Sequence, residues 1–308
     1  MLDTAAYRAA IEREPIPLGL YASDALFALS SSGDGVDSAA KLDAELRTSF
    51  PDLDRRTQIC LEGDFNGGHW FATCGHFVGR FAKPLRGIEA DGKPHWLRYG
   101  WFDRIEGDRI VESYVILDRA QLMIDTGQWP FAPELGQSWF PAPATHDGCD
   151  PGDVGSEDSL KLVEAMIGGL MQYDRQSLTS MGMPRFWTPQ FLWYGPGGIG
   201  SARGHKDYER AHQQPFLTAF PDRIGGNHKC RIGQGSYVAS TGWPSINATH
   251  SGDGWLGLPA TNKRVTMRVM DFWRAENGLL AENWVMIDIP DLLNQFGIDV
   301  FAADPERI

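Results

Sequence analysis

Glu112-Ser113-Tyr114-Val115-Ile116-Leu117-Asp118 and Glu282-Asn283-Trp284-Val285-Met286-Ile287-Asp288 are two versions of one segment, 170 residues apart. Glu, Val and Asp recur in place, an aromatic stands third in each, and aliphatic residues precede the closing Asp. The same spacing relates Phe50 to Phe220, Cys60 to Cys230, Phe102 to Phe272, Arg104 to Arg274 and Gly127 to Gly297. In between it slips by three, so that Trp70-Phe71-Ala72-Thr73 matches Tyr237-Val238-Ala239-Ser240. A spacing that returns to one value after a slip predicts a tandem duplication, with loop lengths free to differ between the copies.

The 308-residue chain is long enough for two domains of ordinary size. Residues 136–155, GQSWFPAPATHDGCDPGDVG, are rich in Pro, Gly and Asp and have no periodicity, so they read as a connection. The expected domains are 1–140 and 154–308, with a linker at 141–153. The second copy opens with Ser156-Glu157-Asp158-Ser159, read as a helix cap with acids in the first turn. Leu160, Val163, Met166, Ile167, Leu170 and Met171 follow at helical spacing. A short aromatic strand is expected at 190–194, a helix at 205–219, and strands at 228–232, 236–240, 265–274 and 280–287. Asn277-Gly278 marks a hairpin between the last two, with Glu106-Gly107-Asp108 at the same turn of the first copy. Residues 291–297 form a closing amphipathic stretch. Helices followed by an antiparallel meander predict an α+β fold, a curved sheet wrapped over helices.

The net charge of -12 argues against nucleic-acid and anionic-membrane partners, both of which need a basic face. No apolar run reaches the roughly 18–20 residues of a membrane helix, and the N-terminus has neither a basic nor an apolar leader segment. The four cysteines are scattered, with no C-x-x-C pair. A reduced cytoplasmic protein without a metal site is the expectation. Eleven tryptophans can serve a large core or a pocket for a flat organic ligand.

The second copy also carries an ordered series: Ala248-Thr249-His250-Ser251-Gly252; Gly257-Leu258-Pro259-Ala260-Thr261-Asn262-Lys263-Arg264-Val265; Met270-Asp271-Phe272-Trp273-Arg274; Glu282-Asn283-Trp284; Asp288; and Leu292-Leu293-Asn294-Gln295-Phe296-Gly297. The series resembles the SnoaL-like polyketide cyclase family of the nuclear transport factor 2-like superfamily. It covers most of 186–300, and the first copy matches in part over 46–127. The resemblance implies two cone-shaped α+β domains, arranged as a monomeric pseudo-dimer or a homodimer. It also implies cofactor-free acid/base chemistry on a carbonyl-containing, apolar small molecule, by aldol-type cyclisation or isomerisation. Two departures stand out. Asn283 replaces a histidine frequent in the family's E-H-W, and the first copy has Trp101 where the second has Asp271.

Asp271 leads the candidate residues. Strand alternation puts it on one face with Val265, Met267, Val269 and Trp273. A carboxyl on an apolar face is costly unless partnered or protonated. It is expected to have a raised pKa and to act as a general base, or as a neutral donor to an oxyanion. An arginine-paired structural carboxylate is the competing reading. His250, at the family's T-H-x-G, is a candidate proton shuttle or a turn histidine. His212 shares a helix face with Phe216 and Phe220 and would line the pocket, as would Trp193, Tyr194, Trp273 and Trp284. Each of these could equally be core. Asp288 is a candidate substrate contact, although its retention as Asp118 also suits a helix cap. The run Gly195-Pro196-Gly197-Gly198-Ile199-Gly200 reads as a loop at the pocket mouth. No cofactor and no metal are expected. The competing functions are a non-catalytic small-molecule binder, a related hydrolase or dehydratase, and an interaction protein whose pocket is filled by tryptophan.

Overall fold

The computed structural model describes residues 2–30 and 38–301. Its two halves repeat one element order, to which the second adds the short strands Ala202–Arg203 and Ile224–Gly225 and a break in its middle helix. The first runs α1 (Thr4–Arg13), β1 (Tyr21–Leu29), α2 (Ala39–Ser49), β2 (Asp54–Phe65), β3 (Gly68–Arg80), β4 (Pro94–Glu106), β5 (Arg109–Leu117) and α3 (Arg119–Asp125). The second runs α4 (Ser156–Leu170), β6 (Trp187–Tyr194), β7 (Ala202–Arg203), α5 (Gly204–Tyr208), α6 (Gln214–Ala219), β8 (Ile224–Gly225), β9 (His228–Gln234), β10 (Tyr237–Thr249), β11 (Arg264–Glu276), β12 (Leu279–Ile287) and α7 (Ile289–Phe296). The first sheet is ordered β1-β5-β4-β3-β2. The second is β7-β6-β12-β11-β10-β8, with β9 also paired to β10. The fold is therefore α+β and duplicated.

The repeated motif has a physical cause at each conserved position. Glu112 accepts from Arg104 Nε at 2.8 Å, and Glu282 from Arg274 Nε at 2.5 Å, so each strand pair carries one Arg–Glu pair across its hairpin. Asp118 caps α3 through Gln121 N at 3.0 Å, and Asp288 caps α7 through Asp291 N at 3.3 Å. Arg98 and Arg268, again one repeat apart, approach those two caps at 3.4 and 3.2 Å. At the second hairpin Asn277 and Gly278 both have positive φ, as a two-residue turn matched to strand twist requires.

Strand register confirms the slip by three and corrects one pairing. Ala72 faces Phe102 and Ala239 faces Phe272. On the other side, Leu61 faces Ala72 and Ile232 faces Ala239. Cys60 therefore corresponds to Arg231, and Cys230 to Ile59, so the two cysteines are not equivalent. The β2–β3 hairpin runs further before its turn than the β9–β10 hairpin, and that added length shifts the count between the copies. The expected cap at Ser156 is also displaced. Gly155, with φ of 89°, takes the N-cap position, while Ser156 Oγ donates to Asp153 O at 2.6 Å. Glu157 and Asp158 do occupy the first turn.

The two sheets pack face to face. Ile59, Leu61, Ala72, Phe102, Tyr114 and Ile116 of the first meet Cys230, Ile232, Ala239, Met270, Phe272, Trp284 and Met286 of the second in one buried cluster. Phe102 and Phe272, equivalent by the repeat, touch each other with ring centroids 5.5 Å apart. Self-contact of equivalent residues is what a two-fold interface produces, and here it occurs within one chain. Gly100, the counterpart of Met270, leaves the space that Met270 and Met286 occupy. Each sheet thus has one face against its copy and the other over its own helices, which explains the nearly continuous burial along β4 and β5.

Truncating either central ring should leave a cavity at this interface. Phe272→Ala is expected to lower the unfolding free energy by about 3–5 kcal/mol in urea titration, with one shared transition for both halves. In a double-mutant cycle with Phe102→Ala the two losses should fall short of additivity by about 0.5–1.5 kcal/mol. Two separate transitions, only one of them displaced, would refute a common core.

Candidate active site

β11 and β12 supply the floor of the cavity in the second half. Met267, Val269, Asp271 and Trp273 point to one side of β11, and Asn283, Val285 and Ile287 to the same side of β12. The opposite side of both strands faces the first sheet. Met166, Ile167 and Leu170 of α4, with Met171 just after it, form one wall, and Tyr208, His212, Phe216 and Leu217 of the 204–219 helix form another. The cavity measures about 410 Å³ and is predominantly apolar, a volume that suits a small organic molecule.

Asp271 is the only acid among the described lining residues. Its side chain is half-buried, and what exposes it is the cavity it lines. Oδ1 accepts from Asn283 Nδ2 at 3.3 Å, and the same amide is held by Phe272 O at 3.1 Å. No ion pair involves Asp271 among the described residues. Burial raises its pKa to about 7, opposed by the Asn283 hydrogen bond and the Arg231 charge. Desolvation dominates because one weak donor and one guanidinium do not replace a hydration shell.

Neighbouring groups are also displaced from their ordinary values. His212 lies in a π-helical turn over 209–213, stacked on Trp193 at 4.4 Å and on Phe216 at 5.2 Å. Burial, with Arg223 adding to it, lowers His212 to about 3, so the imidazole is neutral. Tyr208 is pushed upward by burial and then by the Asp271 charge, which keeps its phenol protonated. The Tyr208 hydroxyl has no hydrogen-bond partner among the described residues.

The cavity gathers Asp271, His212, Trp193 and Trp273, but not the other four expected residues. Tyr194 and Trp284 lie on the inter-sheet face, because adjacent strand residues point to opposite sides and Trp193 and Asn283 take the cavity side. Tyr194 donates to Glu282 at 2.9 Å and Trp284 to Pro141 O at 2.7 Å. Asp288 is buried in its capping role with Arg268. His250 is fully buried, stacked on Phe296 at 4.2 Å with Thr261 Oγ1 3.2 Å from Nδ1. The glycine run also sits elsewhere: Gly197 N donates to Asp118 at 2.9 Å, and Arg98 to Gly195 O at 3.0 Å. It docks the halves together rather than shaping a mouth.

Sequence reading passed over Asn283, Tyr208, His228 and Arg231. Asn283 was visible as a departure from the resembled pattern, and its position opposite Trp273 places it diagonal to Asp271. His228 could not be assigned from alternation. It should share the face of Cys230 and Ile232, but a register shift at Thr241/Gly242 turns it into the cavity.

The interior of the first half is filled instead. Trp101 and Asp103 there occupy the positions of Asp271 and Trp273, an exchange of acid and indole along one face. Asp103 accepts from Tyr7 at 2.7 Å, Trp101 at 2.8 Å and Ser113 at 2.5 Å. Arg55 bonds Tyr99, Pro15 O and Thr73. A polar cavity of about 250 Å³ remains beside α1, lined by Arg8, Glu12, Arg55, Arg56, Thr57, Cys60 and Cys149 among others. Among the described residues no metal-binding group of His, Cys, Asp and Glu occurs, and no helix is long and apolar enough to cross a membrane. All four cysteines are free thiols.

Residues 173–296 match the model of the SnoaL-like polyketide cyclase family. Among solved structures, IdmH, a candidate polyketide cyclase from Streptomyces antibioticus, is 20% identical, with 45% of this chain and 99% of that one covered and a TM-score of 0.35. A candidate SnoaL-like polyketide cyclase from Jannaschia sp. CCS1 is 15% identical, covering 49% and 97%, with a TM-score of 0.39. AclR, a candidate hydroxylase from Streptomyces galilaeus, is 20% identical, covering 46% and 82%, with a TM-score of 0.36. No curated protein matches the chain.

The Asp271 carboxyl should make stability depend on pH. Its pKa is about 7 when folded against an ordinary 3.8. Between those values the folded chain keeps a proton that the unfolded chain has lost. The stabilisation is therefore complete at low pH and disappears as pH rises through 7. Asp271→Asn stays neutral throughout. Its unfolding free energy relative to wild type should be flat at acid pH, climb towards neutrality, then level off at a gain of at most about 4 kcal/mol. His212 and His228 are common to both proteins and cancel. A difference that does not vary with pH would mean a solvated or ion-paired carboxyl.

Proposed function

We propose, taking residues 173–296 as a SnoaL-like polyketide cyclase domain, that the second half is a cofactor-independent acid/base enzyme. Its substrate would be a small, largely apolar, carbonyl-containing molecule, and its reaction an aldol-type cyclisation or a related isomerisation. The observation that carries the reading is Asp271, a carboxyl titrating near 7 on the wall of an apolar cavity. A base of that pKa is half ionised at neutral pH, where a positioned group removes and returns protons most effectively.

In this mechanism Asp271 takes a proton from the carbon beside the substrate carbonyl. The electron pair of that C–H bond moves to the carbonyl oxygen and forms an enolate. The enolate carbon attacks a second carbonyl carbon, the ring closes, and the new alkoxide recovers the proton from Asp271. For isomerisation the proton returns to a different carbon instead. Asn283 holds one carboxyl oxygen and leaves the other for the proton. The Tyr208 phenol, kept protonated beside Asp271, is the donor placed to stabilise the enolate oxygen. The neutral His212 contributes shape rather than charge. The first half, with its filled interior, would act as the pseudo-subunit that covers the back of the sheet, with 1–140 and 154–308 as the domain limits.

Tryptophan fluorescence with a panel of flat polycyclic ketones tests this reading. Asp271→Asn should bind as wild type does while turnover falls by about 10²–10⁴-fold. Tyr208→Phe should lose about 10²-fold in kcat with little change in KM. In wild type, kcat/KM should rise with pH and level off above about 7. Binding without turnover by the wild type would instead identify a non-catalytic carrier on the same scaffold.

A further inference from the structure

Arg231, Ser240 and Asp271 stand in one row across the sheet. Arg231 pairs with Ser240 between β9 and β10, and Ser240 with Asp271 between β10 and β11. Directly paired residues share a face, and neighbouring strands lie about 4.8 Å apart, so the Arg231 backbone is about 10 Å from that of Asp271. Both side chains line the cavity.

Arg231 is held in place but not neutralised. One of its N–H groups donates to Nε2 of His228, which also meets Ser240 Oγ at 2.9 Å. Accepting from a guanidinium requires an unprotonated Nε2, and burial followed by the Arg231 charge lowers His228 to about 4. His228 is therefore a neutral bracket and offers no counter-charge. Glu164, the one carboxylate paired with it among the described residues, is 3.6 Å away and about half exposed, a geometry that contributes little. Arg231 Nε has no hydrogen-bond partner among the described residues. A second guanidinium lines the same cavity: Arg223 donates to Leu170 O at 2.8 Å, lies over the ring of Tyr173, and has no carboxylate partner among the described residues. In a chain of net charge -12, the described cavity lining holds two arginines and a single acid. Guanidinium groups at an apolar cavity are costly unless an anion meets them, and a carboxylate matches their planar fork of donors. In the first half the position of Arg231 is Cys60, which lines the separate polar cavity beside α1.

We infer that the ligand of this cavity carries a carboxylate bound by Arg231, at one end of an apolar body whose carbonyl group reaches Asp271. The carbonyl placement rests on the acid/base reading given above, whereas the carboxylate contact does not. Arg231 is then the residue that selects acids over neutral ketones and esters, with His228 as its positioning residue.

The test compares 9-oxofluorene-2-carboxylate with its methyl ester, which differs chiefly in charge. Binding to wild type, Arg231→Gln, Arg231→Lys and Asp271→Asn is followed by tryptophan quenching near neutral pH. Wild type and Asp271→Asn should bind the acid at least about tenfold more tightly than the ester, the scale of one charge-assisted pair. Arg231→Gln should erase the preference and Arg231→Lys should retain part of it. Equal binding, tighter ester binding, no binding of either compound, or a preference that survives Arg231→Gln would each overturn the inference. Should Arg231→Gln fail to fold, the wild-type preference must shrink with added salt, and a salt-independent preference would overturn it. Loss of turnover in Asp271→Asn without any preference for the acid removes the carboxylate and leaves the enzyme. A preference for the acid with turnover indifferent to that substitution removes the enzyme and leaves the carboxylate.

Discussion

The packing of the two sheets against each other, centred on Phe102 and Phe272, constrains everything else in the molecule. A sheet with one face buried against a partner has only the other face for helices, ligand or both. Side chains alternate along each strand, so the contact also sorts them. Met270, Phe272, Trp284 and Met286 go to the interface, while Val269, Asp271, Trp273 and Val285 go to the interior. The interior face can then change without loss of the interface. Covalent linkage of the copies frees them further, because the two sides no longer have to be identical. Gly100 opposite Met270 and Met286 is such an asymmetry: one side has no side chain there and the other fills the space.

The two interiors have diverged along the line this freedom allows. In the first half an acid is also buried, but Tyr7, Trp101 and Ser113 saturate it and Arg55 ties the surrounding rings together. In the second half the acid stands two residues earlier along the strand, and the indole occupies the place the acid holds in the first half. The carboxyl is left with one long amide contact and open space. The same chemical group has complete hydrogen bonds in one half and incomplete ones in the other, and the incomplete set is what the proposed proton transfer rests on. Burial raises the pKa in both halves. Access to a ligand-sized cavity is what separates them.

Electrostatics inside the cavity follow from one economy of charge. The two histidines on its wall are held neutral by burial and by the nearby guanidinium groups. Among the described lining residues Asp271 is the one group left to titrate near neutrality, and Arg231, two strands away, biases it modestly toward ionisation. Residues 173–296 match the SnoaL-like polyketide cyclase model, and the chemistry proposed for them rests on these few side chains.

The sequence by itself determined the duplication, the α+β class, the element order and the identity of Asp271 as the exceptional residue. Each of these depends on local period or on repetition, and both are written along the chain. Alternation along β11 was enough to place Asp271 among Val269 and Trp273 before any contact was known. Only the tertiary structure decided which face of each strand was the cavity. Tyr194 and Trp284 are as aromatic as Trp193 and Trp273, and composition does not distinguish a wall from an interface. It also decided that Cys60 answers to Arg231 rather than to Cys230, that a register shift turns His228 inward, and that His250 is packed beneath Phe296. Those outcomes depend on hairpin length, on bulges and on contacts between residues far apart in sequence. No local pattern records them, because the energy that selects them arises only once the sheets have met.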